Sequence, residues 1–406
     1  MHFEYGKSIH LQPIYGQTFL KENLQINMEF KRVFLAILTT IFLTSASLGA
    51  FANNDVLEEE IQATQNDHSK ELEKEEFNPS DMIMHHVLDA HDWHLWDVTG
   101  DDGEIHPVSI PLPIILLDGG LQLFMSSKFE HGTAVVESGG NYYKLHHEKI
   151  YNTDASGTLE MDAEHHATNE MPLDFSITKN VLSLFMSVGL LLFLFLSLAG
   201  SYKKNPMAPK GLAAFLEPLV IFVRDEIAIP NIGEKKYRKY MGFLLTVFFF
   251  IWINNLMGLI PFFPGGANLT GNISVTIVLS LMTMIIVNLS GNKNYWGHIF
   301  DPMGNSMPWS AKGVLYIILL PIEVAGIFIK IAALIIRLFA NITAGHIIVL
   351  SLISIIFVKE SFGWSFLSVP MTLFISTLEL LVAALQAFIF TLLSAVFIGQ
   401  ATAEHH

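Results

Sequence analysis

At 406 residues the chain has the length of two or three soluble domains, yet 51% of it is hydrophobic and only 15% is charged, against roughly 25% charged in an ordinary soluble protein. A formal charge of −15 in so apolar a chain requires that charge and apolar residues be segregated. The absence of cysteine excludes disulfide scaffolds, thiolate zinc sites, iron–sulfur clusters and cysteine nucleophiles, and the acidic balance argues against nucleic acid as a partner.

Three segments follow in chain order. Residues 1–52 are an N-terminal extension and a signal peptide: Lys31 and Arg32 precede an apolar run over 33–48, which ends in Ala50-Phe51-Ala52. A basic start, an apolar middle and a small-residue A-x-A ending are the parts of a secretory signal. Cleavage after Ala52 is the expectation, an uncleaved anchor helix is the alternative, and Met28 is a second candidate start. Residues 53–175 are polar and hold 26 Asp and Glu against 5 Lys, a net of −21, which leaves +6 for the rest; they also hold 11 of the 17 histidines. Within them, 55–76 is charge-rich, 81–95 is a short segment carrying His85, His86, His91 and His94, and 105–117 and 121–129 around Asp118-Gly119-Gly120 predict a β-hairpin. Residues 132–143 predict a further strand and turn. His91 and His94, at i and i+3, could share a helical face, but no H-E-x-x-H is present, and solvated surface histidines are the plain reading, with no metal site expected. The functional reading is a proton-collecting surface, since clustered Asp, Glu and His buffer near neutrality.

Residues 176–406 form the membrane domain. Five apolar stretches, 181–200, 241–260, 273–290, 314–358 and 364–399, meet the length of about 20 residues that crosses a bilayer. The last two are too long to stand upright and must tilt, break or project. Basic residues crowd 201–240 (Lys203, Lys204, Lys210, Arg224, Lys235, Lys236, Arg238, Lys239) and add Lys293 and Lys312, whereas the opposite short loops offer Lys359 alone. The positive-inside rule makes the first group cytoplasmic. Five crossings then put 53–175 outside and His406 inside, as the signal peptide independently requires. The expected fold is therefore an all-α polytopic membrane protein with five crossings, an amphipathic cytoplasmic helix and a small exterior domain of mixed or β character.

Glu323, Lys330, Arg337, His346 and Glu379 interrupt these runs, where a charge costs about 2.5–3.5 kcal/mol on insertion scales. Residues seven apart on a helix lie within about 20° of each other, so Glu323, Lys330 and Arg337 form one polar stripe, with Asn341 a turn beyond. His346 lies about 13.5 Å further along than Arg337. The final run travels the other way, with Glu379 and Gln386 on one face. If Gln386 is level with Arg337, Glu379 is about 10.5 Å towards the exterior, near the height of His346. An acid–imidazole pair on one side, an acid on the other and an obligate cation between them suit two proton paths separated by a barrier.

These residues lie in recognisable motifs. Arg337-Leu338-Phe339-Ala340-Asn341-Ile342-Thr343-Ala344-Gly345-His346 resembles the R-L-F-x-N-x-x-A-G signature of the F-type ATP synthase subunit a family. Leu385-Gln386-Ala387-Phe388-Ile389-Phe390 is similar to that family's L-Q-A-F-I-F, Pro321-Ile322-Glu323 to its P-x-E, Asn255 to Pro261 to its N-L-x-x-x-x-P, and Asn272 to Thr276 to its N-x-x-V-T. The resemblance covers 175–406. It implies the stator half of a rotary proton turbine in the bacterial inner membrane. Its partners would be a ring of c subunits, the b stalk and the F1 catalytic head. Arg337 would be the barrier and the partner of the ring carboxylate, and His346, Glu379, Glu323, Asn341, Gln386 and Lys330 would form the proton path. Two departures stand out: relatives usually carry Glu at the position of His346 and His at that of Glu379, and many carry an acid at that of Gly258. No cofactor is expected, and without G-x-x-x-x-G-K-[ST] the chain shows no nucleotide motif, so it is not expected to be an enzyme by itself. The rival class, a secondary transporter, usually has repeated halves, and none is visible.

Overall fold

The structure, a computed structural model, describes residues 88–99, 105–162, 167–204, 210–260, 262–301, 309–359 and 362–404. Residues 1–52, expected above to be an extension and signal peptide, and the charge-rich segment 55–76 lie outside the described residues.

Among the described residues, eight short strands precede the long helices: β1 (Asp92–Thr99), β2 (Ile105–Pro111), β3 (Pro113–Leu117), β4 (Leu121–Met125), β5 (Val135–Ser138), β6 (Asn141–His146), β7 (Lys149–Thr153) and β8 (Leu173–Asp174). They form three antiparallel sheets in the orders β1-β2, β4-β3-β8 and β5-β6-β7. The expected hairpin is shorter than its sequence pattern. β3 and β4 do pair across Asp118-Gly119-Gly120, with Gly119 at φ 62°, a left-handed turn position that suits glycine. Residues 105–111, however, pair backwards with β1. The reason is the Pro111-Leu112-Pro113 break: neither proline can donate to a ladder, and the Leu112 N–H donates to Ser126 Oγ instead (2.9 Å). The segment around His91 is correspondingly a strand entry, and His94 lies within β1, so the two share no helical face. A small core of Ile114, Leu116, Phe124, Phe129, Val136, Tyr143 and Ile150 closes the region.

The rest is helical: α1 (Lys179–Lys204), α2 (Leu212–Phe222), a π-helical turn (Val223–Ala228) running into α3 (Ile229–Ile232), α4 (Tyr237–Leu259), α5 (Ile273–Ser290), α6 (Lys293–Phe300), α7 (Trp309–Val358) and α8 (Ser365–Thr402). Five of them, α1, α4, α5, α7 and α8, are long and apolar enough to cross a membrane. The stretch from α2 through α3 is the amphipathic element: Ala213, Leu216, Val223, Ile227, Ala228 and Ile232 are buried on one side, while Arg224 turns outward to pair with Asp225 at 2.7 Å. α4 is the hub, buried along most of its length. It packs on α8, which packs on α7, which in turn packs on α5. Phe195 against Phe249, edge to face at 5.0 Å, ties α1 to α4.

α7 runs 50 residues without a break despite Pro321, and α8 runs 38 despite Pro370. The apolar part of α7, Leu315–Ile356, is about 63 Å long and fits within a hydrocarbon layer of about 30 Å only when inclined about 60° to its normal. Of its side chains only Leu334, Leu338, Thr343 and Ser354 are buried. Ile318, Ile322, Phe328, Ile329 and Ile336 are exposed, as are Phe366, Leu373, Leu381 and Leu385 of α8, and they leave the two helices an open apolar face.

Candidate functional site

The two inclined helices cross at Arg337 and Gln386. Gln386 Nε2 donates to the Arg337 carbonyl, and Gln386 Oε1 accepts from Asn341 Nδ2 at 3.4 Å. Gln386 is buried by this arrangement, whereas the Arg337 side chain is exposed on the open apolar face, one residue before the fully buried Leu338. Among the described residues, no carboxylate lies within ion-pair distance of Arg337. Its carbonyl is part of the α7–α8 contact and its side chain is exposed.

On one side of this crossing, His346 Nδ1 lies 3.7 Å from Glu379 Oε1, with the side chains only 19% and 14% exposed. A cavity of about 10 Å³ lies between this pair and Asn341, walled by Asn255, Leu259, Ile342 and Ala383. That is near the lower limit for one water molecule. Its walls are held by cross-links that the sequence motifs do not announce. Asn255 Nδ2 donates to the Ala383 carbonyl (3.2 Å) and Asn255 Oδ1 accepts from Thr270 Oγ1 (2.6 Å). Thr343 Oγ1 reaches the Gly271 carbonyl at 3.4 Å. Gly345 leaves the space that the Glu379 carboxylate fills, because a β-carbon there would collide with it. Gly258 faces the imidazole from the other side, with a position for a β-carbon 3.6 Å from His346 Nε2. Gly345→Ala should therefore push Glu379 away from His346. A structure of the variant checks this, and an unchanged separation of the pair would show that the close approach does not depend on the glycine.

On the other side, Lys330 and Glu323 lie about 10.5 and 21 Å from Arg337 along α7. They line an open cleft of about 240 Å³ together with Asn294, Tyr295 and His298 of α6 and Gln400 of α8. Glu323 Oε2 is 3.8 Å from His298 Nδ1. Lys330 Nζ donates to Gln400 Oε1 (3.4 Å) and sits 5.3 Å over the Phe397 ring. His298 was invisible to motif reading because it lies on a short helix between two crossings. Its signal is its place in the basic loop that ends α5.

The structure thus brings together His346 with Glu379, Asn341 with Gln386, and Lys330 and Glu323 in one cleft. Arg337 lies between them along α7, its side chain in no ion pair among the described residues.

Comparison with known proteins gives this arrangement a context. The family described as ATP synthase A chain matches residues 181–399, more than half of the chain, and one described as a domain of unknown function matches residues 82–175. Over 240 residues the chain is 47% identical to the ATP synthase subunit a of Pelodictyon phaeoclathratiforme, covering 57% of this chain and 67% of that relative. Identity is 48% over 239 residues to its namesake in Chlorobium phaeobacteroides strain BS1, with the same coverage. It is 41% over 238 residues to that of Anaeromyxobacter dehalogenans, 57% of this chain and 60% of the relative. The matched region contains α7, all but the last turn of α8 and, Gln400 apart, the side chains named in the two recesses, and the chain belongs to the ATP synthase A chain family.

Proposed function

We propose that this chain is the membrane stator subunit of an F-type ATP synthase, carrying protons to and from a rotating ring of c subunits through two half-channels. The observation that carries this reading is the lone exposed Arg337 on an open apolar face, with a polar recess on either side of it. A guanidinium in that setting needs a partner carboxylate from another chain, and the steep apolar face of α7 and α8 suits a curved wall of helices. The ring supplies both.

Protons enter from the exterior past Glu379 and His346, move inward by way of Asn341 and Gln386, and neutralise a ring carboxylate. The neutral carboxylic acid can face lipid, which the ionised form cannot. After nearly a full turn the acid meets the cleft at Glu323 and His298, loses its proton towards the cytoplasm and is held ionised by Arg337 as it passes. Arg337 blocks direct passage because a guanidinium keeps its proton at any physiological pH. His346 and Glu323 are about 34 Å apart along α7, and less than that in depth because the helix is inclined. The two recesses share no lining residue, so on this reading every proton must ride the ring. Each contributes about 2.3 kcal/mol per 100 mV, so several are needed per ATP, whose chemistry resides in the catalytic head, tied to this subunit through the b stalk.

The test is ion flux through the complex reconstituted in vesicles, with pH and sodium varied separately. Flux should follow the proton gradient and ignore sodium; flux that requires sodium would overturn the proton reading.

A further inference from the structure

The mechanism above makes no use of a second group of ionisable side chains, gathered where the β region meets the start of α1. His91, 4% exposed, lies just before β1, and its Nε2 is 2.7 Å from Asp174 Oδ2 of β8. The His91 backbone N–H donates to the Glu148 carboxylate at the β6–β7 turn. Lys179, 7% exposed at the start of α1, is within electrostatic reach of Asp89, Glu148 and Asp92. It is also within reach of His346 on α7. At the outer end, His131 is 45% exposed and its Nδ1 lies 3.1 Å from Asp92 Oδ2. An ionisable thread therefore runs from solvent at His131, through Asp92, Glu148, His91 and Asp174, to Lys179, whose charge is felt at His346.

Attachment of the β region does not need this thread. Asp89 already fastens it to α1, accepting from the Asn180 backbone N–H (3.0 Å) and Thr178 Oγ1 (2.9 Å) at a helix start where a carboxylate is favoured. Trp93 packs edge to face on Phe263 at 5.3 Å. A buried ion pair stabilises a junction less well than apolar contacts do, so His91 and Asp174 call for another explanation. His91 Nδ1 is buried with no hydrogen-bond partner among the described residues, leaving one ring nitrogen available while Asp174 orients the other. Burial works against the charge on His91, but the hydrogen bond and charge of Asp174, aided by Glu148 and Asp89, outweigh it and raise its pKa above the ordinary imidazole value. The imidazole is thus biased towards holding a proton.

We propose that this cluster is a proton vestibule, which collects protons from the exterior solvent at His131 and passes them through His91 and its carboxylate neighbours to His346 and Glu379. The β region is then a working part of the inlet. One proton leaves the inner end for each one taken from solvent, and Lys179 balances the carboxylate charge. The proposal rests on the half-channel reading above.

The test uses the whole complex in vesicles, with flux measured as exterior pH is varied. His91→Gln keeps a hydrogen-bonding side chain for Asp174 but cannot titrate. It should lower flux at high exterior pH on the order of tenfold, a shift of about one pH unit in the profile where flux follows proton concentration, with ATP hydrolysis by the catalytic head and subunit composition unchanged. An assembled His91→Gln complex with the parent profile overturns the vestibule even where Arg337→Ala abolishes flux; flux surviving Arg337→Ala overturns the half-channel reading itself. Should His91→Gln fail to assemble, His131→Gln at the exposed end decides. The same shift is expected there, and an unchanged profile overturns the proposal.

Discussion

Arg337→Ala is expected to abolish ATP-driven proton pumping while the complex still assembles. The geometry separates the two effects. The helix crossing uses the Arg337 carbonyl, which Gln386 holds and alanine retains, whereas the lost guanidinium is exposed and has no ion-pair partner among the described residues. An exposed substitution of this kind usually changes stability by no more than about 0.5 kcal/mol. The functional loss is far larger. A cation about 4 Å from the ring carboxylate favours its ionised form by about 4 kcal/mol at an effective dielectric of 20, roughly a thousandfold in the ionisation equilibrium. On the proposed mechanism, a ring acid without it keeps its proton as it passes between the recesses, and rotation no longer forces release. Acidification of vesicles on ATP addition measures this directly, and pumping near the parent rate would remove Arg337 from the mechanism. Arg337→Lys should rescue little, because a lysine can release its proton in an apolar setting and does not maintain the barrier.

How much of this was legible in the sequence depended on how far apart the interacting residues lie. The five crossings are continuous apolar runs, and the heights of His346 and Glu379 follow from counting residues on two straight helices with one rise per residue. Local periodicity therefore carried the membrane domain. It did not carry the β region, where the Pro111-Leu112-Pro113 break diverted residues 105–111 to a strand upstream of them, an outcome set by pairing partners and not by propensity. The pairing of His91 with Asp174 spans 83 residues, and the bond from Thr270 to Asn255 spans a loop. No pattern in either segment reports the other. Gly345 sat in plain view inside the arginine motif, but its purpose, making room for Glu379, becomes visible only when α8 is packed against α7.

The exchanged pair offers the second large effect. His346→Glu alone would set two carboxylates at the distance now spanned by His346 Nδ1 and Glu379 Oε1, 3.7 Å, where both cannot ionise together. Glu379→His alone would set two imidazoles there, with repulsion whenever both are protonated. Each single change should lower ATP-driven pumping about tenfold or more, as the loss of one positioned proton-handling group implies. The double change, His346→Glu with Glu379→His, restores an acid facing an imidazole at the same height and in the order that relatives of this family usually carry. Gly258, beside His346 Nε2, leaves space on that side for the longer carboxylate to settle. The double variant should therefore recover to within about threefold of the parent, a coupling of about 2 kcal/mol between the two changes, within the range for residues in contact. If the double variant pumps no better than either single one, then His346 and Glu379 handle protons independently, and their closeness reflects packing alone.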